Sequence, residues 1–105
     1  MALTRDFKDT IKARAARDPA FRAALLQEAV QALVDGEVEV GKAVLRDYVN
    51  ATLGFAALAK ATKTSPKSLM RMLSPAGNPT ADNLFAIIST VQKRAGIKVK
   101  VRAAA

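Results

Sequence analysis

The sequence contains no cysteine, no histidine and no tryptophan. Without cysteine there is neither a disulfide framework nor a thiolate zinc site. Without histidine the chain lacks the commonest metal ligand and the commonest general base. Carboxylates are scarce as well, nine in 105 residues, and none forms an evident catalytic pair. These absences predict a protein that is not an enzyme and that carries no cofactor. Long apolar runs are also missing, and none approaches the roughly 20 residues of a membrane span. Residues 1–9 are polar and charged, without the apolar core of a secretory signal. A cytoplasmic protein with no membrane association is the expectation.

What the chain does have is apolar content and an uneven charge. Half of its residues are apolar, enough for one modest core, and its length suits a single domain. A chain this short buries only about two thirds of its unfolded surface, so a homodimer would add to its stability. The net charge is +8, and its distribution says more than its size. Residues 1–50 hold eight basic and eight acidic side chains; residues 51–105 hold nine basic side chains and one acid, Asp82. A neutral scaffold joined to a basic half is the pattern of a polyanion-binding protein.

Capping and periodicity divide the chain into about six helices. Thr4 caps a first helix with Phe7, Ile11 and Ala15 on one face. Asp18 followed by Pro19 starts a second, because an acceptor at the N-cap and proline at N1 both suit the unpaired N–H groups there. Phe21, Leu25, Leu26, Ala29, Val30, Leu33 and Val34 form its apolar stripe, and Gly36 stops it. A third helix over about 37–52 carries Val44, Leu45, Tyr48 and Val49 inward and stops at Gly54. A short helix at 55–63 is followed by another starting at Ser65 and Pro66 and ending near Ser74 and Pro75. After a turn at 76–79, Thr80 caps a last helix with Leu84, Ile88, Val91 and Ala95 inward and Gly96 at its end. Residues 97–102 alternate apolar and basic, which reads as a short β-strand or, for want of a partner strand, a tail.

The reading is therefore all-α, one domain over 1–105. Residues 1–54 form a helical scaffold and a candidate dimer or partner segment. Residues 55–95 hold a central helix-turn-helix, and 97–102 the strand or tail.

The functional weight falls on 55–73. Two short helices flank a tight turn at about 62–64. Ala59 sits where they meet, with Leu58, Leu69, Met72 and Leu73 as apolar anchors. At about 100° per residue, Leu69, Met72 and Leu73 share one face of the second helix. Lys67 and Arg71 lie centrally on the opposite face, flanked by Ser68, Met70 and Ser74. No acid occurs from 51 to 81. A helix-turn-helix uses its first helix as a brace and lays its second in the major groove of double-stranded DNA.

Arg71 can donate two hydrogen bonds to guanine, and Lys67 can do the same or meet a phosphate. Ser68 can read a base edge or a phosphate. Met70 packs on a thymine methyl or fills the core edge. Lys60, Lys63 and Thr64 lie where brace and turn would pass the DNA backbone. Amides at the start of the Ser65 helix can hold a phosphate. The candidate contacts are completed by Ser74 and Asn78.

The run from Leu58 to Thr80, LAKATKTSPKSLMRMLSPAGNPT, resembles the helix-turn-helix of Cro-like regulators, and most closely the branch of addiction-module antidote proteins. That branch typically has a Leu-Ala pair in the brace, matched by Leu58 and Ala59, and a serine opening the recognition helix, matched by Ser65. Its run Leu-Ser-Pro-x-Gly-Asn-Pro-(Thr or Ser) is matched by residues 73–80. The resemblance covers roughly residues 40–95. It implies a DNA-binding antitoxin that also engages a toxin protein. The family commonly has glycine where this chain has Lys63, and an aliphatic residue where it has Thr64.

The sequence thus predicts a sequence-specific regulator, a repressor acting as a homodimer, and the antitoxin of a toxin–antitoxin pair as its finer form. The competing reading is a helical protein–protein interaction module that does not bind nucleic acid.

Overall fold

The structure, a computed structural model, describes residues 5–105, with side chains from Lys8 onward. Its helices are α1 (Arg5–Arg17), α2 (Pro19–Val34), α3 (Val38–Ala51), α4 (Gly54–Thr62), α5 (Pro66–Met72) and α6 (Ala81–Ala95). No strand occurs among the described residues. The described residues are all-α with six helices, as the periodicity predicts. The Thr4 cap and the Phe7 side chain lie outside what is described.

Capping chemistry sets most of the boundaries. Asp18 holds an extended backbone and its carboxylate accepts from the Phe21 N–H at 3.1 Å, with Pro19 at N1. That hydrogen bond holds the Asp18 carboxyl below its usual pKa. Arg14 approaches the same carboxylate at 3.6 Å and lays its guanidinium over the Phe21 ring, 4.7 Å from the centroid. The α1–α2 corner is thus fastened from both sides. Thr80 caps α6 in the same way, accepting from the Asn83 N–H at 3.2 Å.

The most extensive packing joins α2 to α3. One apolar cluster then runs from Leu26, Ala29 and Val30 of α2 through Leu45, Tyr48 and Val49 of α3. It continues through Phe55 and Leu58 of α4 and Leu69 of α5, then Leu73, to Ile87, Ile88 and Val91 of α6. Gly41 lies buried where α2 and α3 cross. A Cβ there would stand 2.6 Å from the Leu33 side chain and 3.2 Å from the Ala29 carbonyl oxygen. The missing side chain lets the two helices approach.

Three local expectations change. Val34, placed on the inward stripe, is 58% exposed: it is the last residue of α2, and the chain turns away before α3 can cover it. Gly54 does not stop α3, which ends at the Thr52 cap, but opens α4. Ile87 is buried along with Ile88 and Val91, whereas Leu84 and Ala95 are half-buried. Residues 97–102 take the tail form. The Val99 N–H donates to the Gln92 side-chain oxygen at 2.8 Å and the Ile97 N–H to the Gln92 carbonyl at 3.0 Å. Ile97 and Val99 rest on the core while Lys98, Lys100 and Arg102 are exposed. The alternation survives as a packing pattern without a ladder. No helix among the described residues is long and apolar enough to cross a membrane.

Gly41→Ala is expected to lower stability by about 1–3 kcal/mol, because a methyl must displace the Leu33 side chain in a packed crossing. Urea unfolding monitored by circular dichroism measures it.

Candidate nucleic-acid interface

The hairpin of α4 and α5 is built by its own sequence. Leu58 and Leu69 are buried and Ala59 is half-buried between the helices. At the end of α4 the N–H groups of Lys63 and Thr64 both bond to the Ala59 carbonyl, the second at 3.2 Å. Closing the helix this way requires Lys63 to adopt the left-handed conformation, φ 55° and ψ 36°. It is the one non-glycine residue with positive φ among the described residues. Ser65 then caps α5, its hydroxyl accepting from the Ser68 N–H at 3.2 Å, with Pro66 following. Leu73 continues the inward face of α5 and is fully buried.

The outward face is basic. Lys60, Lys63, Ser65, Lys67, Arg71 and Asn78 are exposed. None of the four cations makes a hydrogen bond or ion pair among the described residues. Met70, on the same helix as Lys67 and Arg71, is 47% exposed. Three of the sequence-predicted positions are half-buried and locally engaged. Thr64 donates to the Thr62 carbonyl at 3.3 Å, Ser68 accepts from the Ser65 hydroxyl at 2.9 Å, and Ser74 donates to the Arg71 carbonyl at 2.7 Å. The exposed set thus comprises side chains on one hairpin and, in Asn78, the loop that follows it, while Thr64, Ser68 and Ser74 shape the local backbone.

The far end of α5 is held by a contact that no local pattern announces. Lys42 of α3 is 2% exposed. Its ammonium donates to the Gly77 carbonyl at 2.6 Å and the Ser74 carbonyl at 3.1 Å, and meets Glu39 Oε2 at 3.0 Å. An ammonium has three donors, and all three have acceptors. One turn further along α3, Arg46 donates to the Leu73 carbonyl at 2.9 Å. Carbonyls at a helix C-terminus have no partner within the helix, and cations there also oppose the negative end of the helix dipole. Gly77 completes the junction: a Cβ there would lie 1.9 Å from the Arg71 carbonyl oxygen, so the loop can press against α5 only as glycine. In the sequence, Lys42 and Arg46 are two of the eight basic side chains of the charge-neutral half. Only their partners, 27 to 35 residues away, reveal what they do.

No protein-family model, curated protein or solved structure matches this chain.

Lys42→Met should destabilise by about 1–3 kcal/mol, since the Gly77 carbonyl loses its donor to apolar atoms while the Ser74 carbonyl keeps the Gly77 N–H at 3.0 Å. Glu39→Gln should cost less than about 1 kcal/mol, because that carboxylate faces solvent. Thermal unfolding of the two variants side by side checks the ranking.

Proposed function

We propose that this protein is a sequence-specific DNA-binding transcriptional regulator, repressor-like, that uses α4 and α5 as a helix-turn-helix with α5 in the major groove. The observation that carries this reading is the face of Lys60, Lys63, Lys67 and Arg71. Four exposed cations without ion-pair partners occupy one hairpin, in a stretch with no acid between 51 and 81. A surface meant only for solubility would gain from interspersed acids. Arg71 reads guanine with its paired donors, Lys67 reads a neighbouring base or phosphate, and Lys60 and Lys63 meet the backbone. Ser65 and Asn78 lie at the two ends of this surface. The protein acts as a homodimer on a two-fold site, with recognition helices about 34 Å apart, and represses by occupying its operator.

Lys63 adds its own support. A left-handed backbone costs an L-residue roughly 1–2 kcal/mol, against about 0.5–1 kcal/mol for the freedom glycine would lose on folding. Glycine would be the more stable choice, yet a cation stands there, and strained residues of this kind cluster at functional sites.

The finer form of the reading is an antitoxin. Its support is the run at 73–80, which resembles the antidote branch of Cro-like regulators, together with Val34, Val38 and Val40. These are 58%, 45% and 50% exposed where α2 passes into α3, an apolar surface that suits a protein partner such as a toxin.

The test titrates the protein against the duplex upstream of its own coding sequence and against a scrambled duplex, at two salt concentrations. At least about a thousandfold preference for the native duplex is expected. Absence of binding at low salt would leave the interaction-module reading instead. Arg71→Ala should lose about 1–3 kcal/mol on the preferred site and relax selectivity at one base pair. Lys63→Gly should be more stable by about 0.5–1 kcal/mol. It should nevertheless bind all sequences more weakly, with a salt slope reduced by about 0.9 per protomer. An altered base preference in Lys63→Gly would contradict its phosphate role.

A further inference from the structure

Tyr48 is the largest fully buried side chain of the core, and its hydroxyl is the one buried side-chain polar atom without a hydrogen-bond partner among the described residues. Buried hydroxyls are nearly always satisfied. This one belongs to a residue lining a cleft of about 320 Å³ between α2, α3 and α6. Arg22 and Arg94 line the same cleft, with Thr52, Leu53 and Val91, and no acid does. Arg22 spends one donor on the Ala15 carbonyl, which leaves most of its five N–H groups free. Arg94 has no hydrogen bond or ion pair among the described residues. Thr52 donates its hydroxyl to the Tyr48 carbonyl at 2.6 Å, so it offers only acceptor capacity to the cleft.

We propose that this cleft is a binding site for a small organic anion, a carboxylate with a short apolar body. Arg22 and Arg94 supply the charge, the Tyr48 hydroxyl donates a hydrogen bond, and Leu53 and Val91 receive the apolar part. Burial pushes the Tyr48 pKa up despite the opposing charge of Arg22, so the phenol keeps its proton at neutral pH and acts as a donor. Guanidinium groups suit a carboxylate because their paired N–H groups match its two oxygens. The volume lies at the low end of small-molecule sites, roughly 300–1,000 Å³, and so favours a single ring or a short chain. A bare phosphate is not the proposed occupant, since it has no apolar part to place against Leu53 and Val91. The inference is independent of the DNA reading, and its test contains no DNA.

Tyr48 is the sole tyrosine, and there is no tryptophan, so intrinsic fluorescence reports on the cleft alone. The full-length protein is titrated with benzoate, with neutral benzamide and with inorganic phosphate, and calorimetry provides a second readout. Benzoate is expected to give a saturable, one-to-one fluorescence change and to raise the melting temperature, with benzamide and phosphate each at least about tenfold weaker. Arg94→Gln, an exposed position, should fold normally and weaken benzoate at least about tenfold. Tyr48→Phe, followed by calorimetry, should weaken it several-fold without lowering the melting temperature, because the hydroxyl it removes has no partner in the protein. No saturable response at millimolar benzoate would overturn the proposal. Equal binding of benzamide would overturn the anionic ligand, and equal binding of phosphate the apolar body. Unchanged benzoate affinity in Arg94→Gln would overturn the location.

Discussion

The buried ammonium of Lys42 is the contact on which the position of α5 depends. Taking a lysine out of water is costly unless every donor finds a partner, and here three acceptors meet it: the Gly77 and Ser74 carbonyls and the Glu39 carboxylate. The Gly77 carbonyl meets no other donor among the described residues, whereas the Ser74 carbonyl also accepts from the Gly77 N–H at 3.0 Å. The geometry is mutually dependent. The loop reaches α3 because Gly77 lets it lie against the Arg71 and Met72 carbonyls, and the lysine can be buried because the loop is there. Arg46 repeats the device on the Leu73 carbonyl. A helix of seven residues is far below the roughly 12–15 needed for marginal stability in isolation. Its form and direction therefore come from what grips its ends: the Ser65 cap at one, and Lys42 and Arg46 at the other.

This division explains what could be read from the sequence. The helix starts at Asp18 with Pro19, at Ser65 with Pro66 and at Thr80 were legible because capping acts over three residues. The inward faces carrying Leu26, Leu45, Leu58 and Leu69 were legible because helical periodicity acts over four. Val34 was misplaced because periodicity does not say where a neighbouring helix stops covering the stripe. The tail alternation was real, yet the pattern of burial it describes does not require a ladder, and the Gln92 side chain answers the Val99 N–H instead. Lys42 and Tyr48 were illegible for a different reason. A buried lysine and a surface lysine are the same letter, and only contacts across more than 30 residues separate them. Tyr48 was read as core, which it is, but an unpartnered hydroxyl cannot be seen without its surroundings.

Lys63 and Tyr48 show one physical argument at two sites. Each carries a local cost that the fold does not need: a left-handed backbone on a residue with a Cβ, and a hydroxyl buried without a partner. Glycine at one position and phenylalanine at the other would remove the cost while keeping the shape. Costs of this kind persist where surrounding packing fixes them, and α2, α3 and α6 do that for Tyr48 as the Ala59 carbonyl does for Lys63.

The same logic bears on the charges. In the scaffold half, acids match bases in number, and one of them, Glu39, meets the buried Lys42. That pairing matters beyond stability. An uncompensated ammonium behind α5 would add its field to the region from within, at a point no ligand can reach. With Glu39 beside it, that contribution is largely cancelled. The positive potential of the hairpin then arises from side chains that are exposed: Lys60, Lys63, Lys67 and Arg71. Burying one cation with its counter-ion leaves Lys60, Lys63, Lys67 and Arg71 bare on the hairpin, and Lys93, Arg94, Lys98, Lys100 and Arg102 bare on α6 and the tail, so that attraction for a polyanion spans both groups.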